Sequence, residues 1–497
     1  MEELLYRIAG NALLYFSGNI FHRIMGFCYK IAVSHVGKEE YGLFNLGLAT
    51  FGIASVLALL GVNVGLLHFI PYYNSKNNPQ KTKASIYSAI KIGIISSLTL
   101  AALFYFSSGI ISEKIFHTKD LAKVLRIFSL ALPFWVMSVV FLYIPLAMQK
   151  VKYLVYTQDI LESLVKIGLA FIFVWLGLGL SWIVSSYLFT QILCFIISLY
   201  FLQKTYPIKI NEMIITKMNW EILHYSIPVV YMTLGWIIFI WSDTLMLGFL
   251  ISPSSSGIYN AAAPFAWLLL LVPISLNSIF LPLTTEVYVK NKNVKQIYKS
   301  VERWILILNL PFGLFIFAFA PEIILIFFGR DYIEAAGVLR ILCIGYLIYS
   351  LNFPKINLFL MLRKTLLAAI FKTGLIILNI TLDFLFISIF GLIGAALATT
   401  LSLLIQSVVL EWIAFRFSGM HIFNTDYLKA TIPGLMSLGL VYAISRLPFT
   451  KIIPALYGVA FYSLISLGLY LIGLWIFKII KDEDKTVFSN LINRIAP

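Results

Sequence analysis

Apolar runs long enough to cross a bilayer as helices, roughly 20 residues each, follow one another along the whole chain and are separated by short polar breaks. About fourteen of them are centred near residues 23, 53, 95, 135, 166, 192, 235, 270, 309, 347, 377, 404, 437 and 466. None shows the short alternation of apolar and polar positions that marks a transmembrane barrel strand. With no water in the hydrocarbon core, each backbone N–H and C=O has to find a partner within its own segment, so the runs predict α-helices. The expected fold is an all-α polytopic membrane protein with short loops, the longest polar stretches being 72–84 and 286–300. The first run, from about Asn11 to about Val36, is too long for a signal-peptide core and has no small-residue cleavage site after it, so it is expected to be retained.

The pattern is written twice. Gly42-Leu43-Phe44-Asn45 returns as Gly257-Ile258-Tyr259-Asn260, and Leu125-Arg126-Ile127 as Leu339-Arg340-Ile341. Gln149-Lys150 returns as Arg363-Lys364, and Leu176-Gly177-Leu178 as Phe390-Gly391-Leu392. Four ordered matches at an offset of about 214 residues set spans one to six against spans seven to twelve. Six is even, so both halves enter the membrane from the same side and form a parallel repeat. The expected organisation is an N-terminal six-helix lobe over 1–203 and a second over 204–418, with two additional helices and a tail over 419–497. The basic stretch 203–219, with Pro207 and Asn211, is the boundary between the lobes. A duplicated apolar half is the mark of a secondary transporter, whose substrate lies where the halves meet.

Composition agrees. The chain of 497 residues is 60% hydrophobic and only 12% charged, against roughly 25% charged in a soluble domain. The net charge of +15 raises nucleic acid as a partner, but its distribution excludes it. Lys76, Lys81, Lys83, Lys150, Lys152, Lys204, Lys209, Lys217, Lys290, Lys292, Lys295, Lys299, Arg363, Lys364 and the C-terminal tail fall in one alternating set of loops. Few basic residues fall in the other set, among them Lys38, Lys114, Lys119, Arg330, Arg446 and Lys451. This is the positive-inside bias, and it predicts that both termini are cytoplasmic. Basic cytoplasmic loops also attract anionic head groups.

No phosphate-binding G-x-x-x-x-G-K-[ST] loop, H-E-x-x-H, C-x-x-C or G-x-S-x-G is present. The six histidines are scattered, and Cys28, Cys194 and Cys343 lie in apolar runs without ligand spacing, so no metal and no catalytic residue is expected. The signal lies in ionisable residues inside the spans, which cost at least ~2.5 kcal/mol at mid-helix and therefore face a cavity or each other. Arg23 is near the middle of the first span, with Lys30 two turns on. Arg126 and Arg340 are repeat partners at span ends, and Lys355 lies in span ten. These five are the candidate substrate-binding cations, with interfacial anchoring the competing role for Arg126 and Arg340. Asp243, Asp159, Glu162, Lys166 and Asp383 are the candidates for gating or ion coupling. Glu162 and Lys166 are spaced i,i+4, so a plain intrahelical pair is the alternative there. Lys91, Lys372 and Glu411 are read as residues that snorkel to an interface.

The run Gly37-Lys38-Glu39-Glu40-Tyr41-Gly42-Leu43-Phe44, then Leu60-Gly61 and Phe69-Ile70-Pro71, resembles the opening of polysaccharide flippases of the multidrug/oligosaccharidyl-lipid/polysaccharide exporter superfamily. Trp241-Ser242-Asp243-Thr244-Leu245-Met246-Leu247-Gly248 and Gly257-Ile258-Tyr259-Asn260-Ala261-Ala262 resemble the start of their second lobe. So do Phe328-Gly329-Arg330-Asp331-Tyr332, Leu378-Asn379-Ile380 and Gly391-Leu392-Ile393-Gly394-Ala395-Ala396. The resemblance implies two six-helix lobes and alternating access to a central cavity. It also implies a polyprenyl-pyrophosphate-linked oligosaccharide as cargo, moved from the cytoplasmic to the outer leaflet of the cell membrane. Cavities in that family are often cationic, which suits Arg23 and Lys30. Asp383 stands where many relatives have a neutral residue.

The function expected is thus transport and not catalysis. A cation-coupled drug antiporter of the same superfamily is the alternative, and would want a carboxylate-dominated cavity. A membrane glycan polymerase is a second alternative, and would want sizeable external loops. No cofactor is expected, with Na+ or H+ coupling left open. The expected partners are the lipid-linked oligosaccharide, membrane lipids and, around a monomer, other membrane proteins of glycan synthesis.

Overall fold

The structure is a computed structural model, which describes residues 2–276, 284, 287, 294–361, 365–418, 425–445, 455–477 and 479. The expectations at Lys290, Lys292, Arg363, Lys364, Arg446, Lys451 and in the tail beyond 479 lie outside the described residues. Every regular element among the described residues is helical, and all the expected span centres fall in helical residues. Among the described residues, nine helical runs have the length and apolarity to cross a membrane. The polar stretch 72–84 is not a loop. One helix continues to Ser75 and the next starts at Pro79, where Asn78 caps it by accepting from the Lys81 N–H at 3.0 Å.

The chain forms two compact units, residues 1–260 and 261–497. The first begins with α1 (Glu2–Ser34), α2 (Lys38–Leu59), α3 (Val62–Ser75), α4 (Pro79–Ile110) and α5 (Leu121–Ala147). The short α6 (Val151–Leu154) runs through a π-helical turn, Val155–Leu161, into α7 (Glu162–Trp175). Then come α8 (Leu180–Thr205), α9 (Ile210–Ile215), α10 (Glu221–Leu250) and α11 (Pro253–Trp267), whose last residues enter the second unit. Helix α5 is the centre, packed on α2, α3, α4 and α8. Its residues Leu121, Leu125, Phe128, Leu132 and Val136 recur at helical spacing and are fully buried. Phe128 packs at 5.4–6.0 Å from the rings of Phe44, Phe51 and Tyr187. Lipid tails are as apolar as these side chains, so close packing rather than escape from water holds such helices together. Leu60 and Gly61 both take left-handed backbone angles (φ 46° and 68°) and bend the α2–α3 run. Helix α1 packs along 151–175, and α10 along α2 and α3.

The second unit holds α12 (Val294–Ala318), α13 (Ala320–Phe327), α14 (Ala335–Ser350), α15 (Phe353–Met361), α16 (Thr365–Ser418), α17 (Thr425–Ser445) and α18 (Ala455–Ile476). The long α16 is two helices broken at Gly391, whose φ of 61° and ψ of −134° only a residue without Cβ takes readily. It packs on α14. The two appended helices pack on each other and on α12, where Leu306 and Leu310 meet Tyr470 and Leu474.

Candidate functional site

The charges flagged in the sequence fall into separate groups. The densest lies where α1 meets the π-helical turn and α7. Gly18 makes that approach close: a Cβ there would come within 2.5 Å of Val155 Cγ1 and 2.7 Å of Asp159 Oδ2. One turn on, His22 Nδ1 is 3.0 Å from Ser163 Oγ. Asp159, Glu162 and Lys166 are all buried. Lys166 donates to Glu162 Oε1 at 3.4 Å, and its ammonium lies 5.3 Å and 5.8 Å from the ring centres of Tyr29 and Tyr187. Two rings and a carboxylate thus compensate one buried cation. Asp159 Oδ2 is buried with no hydrogen-bond partner among the described residues. A buried carboxylate so placed is costly unless it takes up a proton or a cation. The π turn inserts one extra residue between α6 and α7 in the segment that carries Asp159, and such insertions are frequent at functional sites.

Arg23 is exposed on α1, and its Nε donates to Asn19 Oδ1 at 2.9 Å. Lys30 is half-buried, with its ammonium 5.6 Å from the ring centre of Trp241 on α10. Two residues further on, Asp243 is buried and accepts a hydrogen bond from the Tyr259 hydroxyl on α11. Around it, Asn260 donates to Thr244 Oγ1 at 2.9 Å, and Ser256 donates to the Thr244 carbonyl at 2.6 Å. The repeat motifs themselves meet here. Tyr41 donates to the Asn260 carbonyl at 3.3 Å. A Cβ on Gly42 would fall 1.8 Å from the Pro253 carbonyl oxygen, and one on Gly257 would fall 2.2 Å from that of Lys38. The starts of α2 and α11 therefore cross backbone to backbone, glycine beside glycine.

Arg126 and Arg340, repeat partners, are held alike. Arg126 Nε donates to Ser108 Oγ at 3.2 Å, with the guanidinium 5.7 Å from the Tyr105 ring centre. Arg340 Nε donates to the Phe317 carbonyl at 3.0 Å and lies 5.9 Å from the Phe317 ring centre. Arg126 ties α5 to α4, and Arg340 ties α14 to α12. In the second unit Lys355 makes a 2.8 Å ion pair with Glu411, joining α15 to α16, so Glu411 has a cationic partner and is not simply snorkelling. Asp383 is fully buried, one helical turn from Asn379, which donates to Thr399 Oγ1 at 3.2 Å across the Gly391 break. Sequence reasoning missed Glu302 and Arg303, adjacent and buried on α12. The available signal was an acid–base doublet directly against the apolar run that begins at Trp304. Among the described residues no three His, Cys, Asp or Glu side chains gather as a metal site.

Residues 8–288, more than half of the chain, match the family described as polysaccharide biosynthesis protein. The chain belongs to this family. Among its relatives, the putative O-antigen transporter of Shigella flexneri is 20% identical, over 78% of this chain and 92% of the transporter. Among solved structures, the lipid II flippase MurJ in an inward closed conformation superposes with a TM-score of 0.76 at 20% identity, covering 94% of this chain and 98% of the flippase. An inward-facing multidrug resistance MATE family transporter of the MOP superfamily follows with a TM-score of 0.67 at 15% identity, over 82% and 98%. These likenesses show a shared fold. The chain is a multi-pass, all-α membrane protein, as the apolar pattern and the resemblance at Gly37–Phe44 and Trp241–Ala262 led one to expect.

Proposed function

We propose that this protein is a flippase that carries a polyprenyl-pyrophosphate-linked oligosaccharide from the cytoplasmic to the outer leaflet of the cell membrane by alternating access. The observation that carries the proposal is Arg23. In a chain that is only 12% charged, a guanidinium stands exposed on α1 and uses its Nε on Asn19. Its terminal amino groups can then grip a phosphate in two bonds, and the pyrophosphate needs such compensation once it leaves water. Lys30 adds a second cation two turns along the helix. In the proposed cycle the two repeat lobes, 1–203 and 204–418, rock about the cargo, both termini are cytoplasmic, and the protein acts without chemistry of its own. The relatives named for O-antigen and lipid II support an anionic lipid cargo.

The test is a proteoliposome assay that follows a fluorescent lipid-linked oligosaccharide from one leaflet to the other. Arg23→Ala should abolish flipping at unchanged expression, and Arg23→Lys should retain a part, because an ammonium lacks the planar fork. Full transport by Arg23→Ala would refute the assignment.

Cation-coupled antiport is the second function, and the buried Asp159–Glu162–Lys166 group favours it. A carboxylate that binds H+ or Na+ would drive either cargo, with Asp383 the corresponding candidate in the second unit. Transport of a cationic dye, in place of the lipid, by the same vesicles would favour the antiporter.

A further inference from the structure

The linker between α8 and α10 was read in the sequence only as a basic boundary, and the structure gives it a defined course. It runs along one stripe of α4. The Lys209 N–H donates to Tyr87 Oη at 3.5 Å, and Glu212 pairs with Lys83 at 2.5 Å and with Lys209 at 3.5 Å. Lys91 then donates to the carbonyls of Ile214 and Thr216 at 3.4 and 2.9 Å. The chain turns back, where the Asn219 N–H donates to Ser88 Oγ at 2.7 Å and its side chain to Ser85 Oγ at 3.1 Å. Finally Glu221 reaches Lys81 at 3.7 Å and accepts from the Tyr73 hydroxyl.

Depth follows from the sequence of α4. From Ile92 to its end at Ile110 that helix carries no charge, so Lys91 marks the edge of its hydrocarbon-spanning part. The linker tip, tied to Lys91, lies at the same level. There Ile210, Ile214 and Ile215 are 68%, 69% and 81% exposed, and Trp220 stands exposed beside them. Three isoleucines turned outward make no sense in water. They fit the boundary between head groups and acyl chains, where tryptophan also concentrates. The cations flanking them are Lys204, Lys209 and Lys217, all exposed, while the one carboxylate among them, Glu212, is already paired.

We propose that the linker is a membrane-surface anchor, in which Ile210, Ile214 and Ile215 insert into the leaflet beside α4 while Lys204, Lys209 and Lys217 bind anionic lipid head groups. The anchor is independent of the cargo and of the direction of transport. A bilayer is favoured over a protein partner because both ends of the linker are continuous with membrane spans at Thr205 and Glu221, and because the exposed cations Lys204, Lys209 and Lys217 outweigh the one carboxylate, Glu212, among the isoleucines.

The full chain, with Cys28, Cys194 and Cys343 replaced by alanine and a spin label at Ile215→Cys, is reconstituted in phosphatidylcholine vesicles with and without phosphatidylglycerol. Collisions with oxygen, which concentrates in lipid, are compared with those of a water-soluble nickel chelate. The label should collide mainly with oxygen, and the ratio should shift further toward oxygen when phosphatidylglycerol is present. Lys209→Gln with Lys217→Gln should remove that shift while gel-filtration behaviour stays unchanged. Nickel-dominated collisions in both vesicles would overturn the anchor. So would a label reached by neither reagent, which would mean that protein covers the tip. A ratio indifferent to phosphatidylglycerol would overturn the head-group part.

Discussion

The backbone crossing of α2 and α11 invites a direct perturbation, Gly42→Ala. The added methyl would stand 1.8 Å from the Pro253 carbonyl oxygen and 2.4 Å from its carbon. A carbon and a carbonyl oxygen tolerate about 3.3 Å, so the helices must part by about 1.5 Å. The obstacle is a peptide group and has no rotamer to escape into. Overpacking of this kind costs typically about 1–3 kcal/mol, which lowers the population of the crossed arrangement roughly five- to 150-fold against any conformation in which the helix starts are apart. In the proposed topology this crossing is on the outer side, so Gly42→Ala should favour the outward-open state, and Gly257→Ala should do the same from the opposite helix. Spin labels at Glu39 and Ile251, both exposed beside the crossing, report the separation by double electron–electron resonance once the three native cysteines are replaced. The mutant should gain a population at longer distance. An unchanged distance distribution at unchanged thermal stability would refute the claim that this contact holds the helix starts together.

Three further outcomes are expected. Lys166→Met leaves Glu162 buried without its ammonium and should destabilise the protein in detergent by about 3–5 kcal/mol, most of it recovered by adding Glu162→Gln; equal melting temperatures for single and double variants would show that the pair is not coupled. Asp243→Asn takes the charge from the hydrogen bond that Tyr259 donates to Asp243, and Tyr259→Phe removes its donor, so they should shift the same label distances in the same direction and should not add when combined; additive shifts would mean that the two residues act separately. Glu212, outside the spans, has its carboxyl held below the usual glutamate range, first by its hydrogen bond to Lys83 and then by the charges of Lys83 and Lys209. A depressed carboxylate stabilises its attachment above its ordinary value and releases it only as pH falls through the lowered one, so the linker should stay on α4 down through the normal glutamate range and detach below it. Glu212→Gln should detach more readily wherever the wild-type carboxylate is ionised and should lose the acid-dependent step, as read by label distances from the linker to α4.

Much of the fold could be read before any coordinates, because apolar runs in lipid have few alternatives to helix. The repeat motif at Gly42 and Gly257 was visible as similarity, but not as contact. That two copies of one motif should face each other follows from pairing in space, about which an offset in sequence is silent. The charges at Asp159, Glu162 and Lys166 stood out by their cost in lipid, whereas the ring cage around Lys166 needed Tyr29 and Tyr187 from two other helices. Lys355 and Glu411 were each noticed and left unpaired, since nothing local links residues on different helices. Glu302 and Arg303 escaped notice because they follow a polar stretch and look like its continuation. Helix α9, with six residues, is shorter than two turns and has no periodicity to detect.

The π-helical turn Val155–Leu161 has a consequence for comparing this chain with its relatives. One surplus residue within a helix turns everything after it by about 100°. A relative that lacks the surplus would present the residues after the turn on the same faces only if one position were left blank in mid-helix. Alignment rules that forbid such blanks would slide Glu162 and Lys166 onto the wrong face, or else misplace Asp159. Counting residues from either end of that helix therefore gives two incompatible sets of equivalent positions, and only the three-dimensional superposition decides between them.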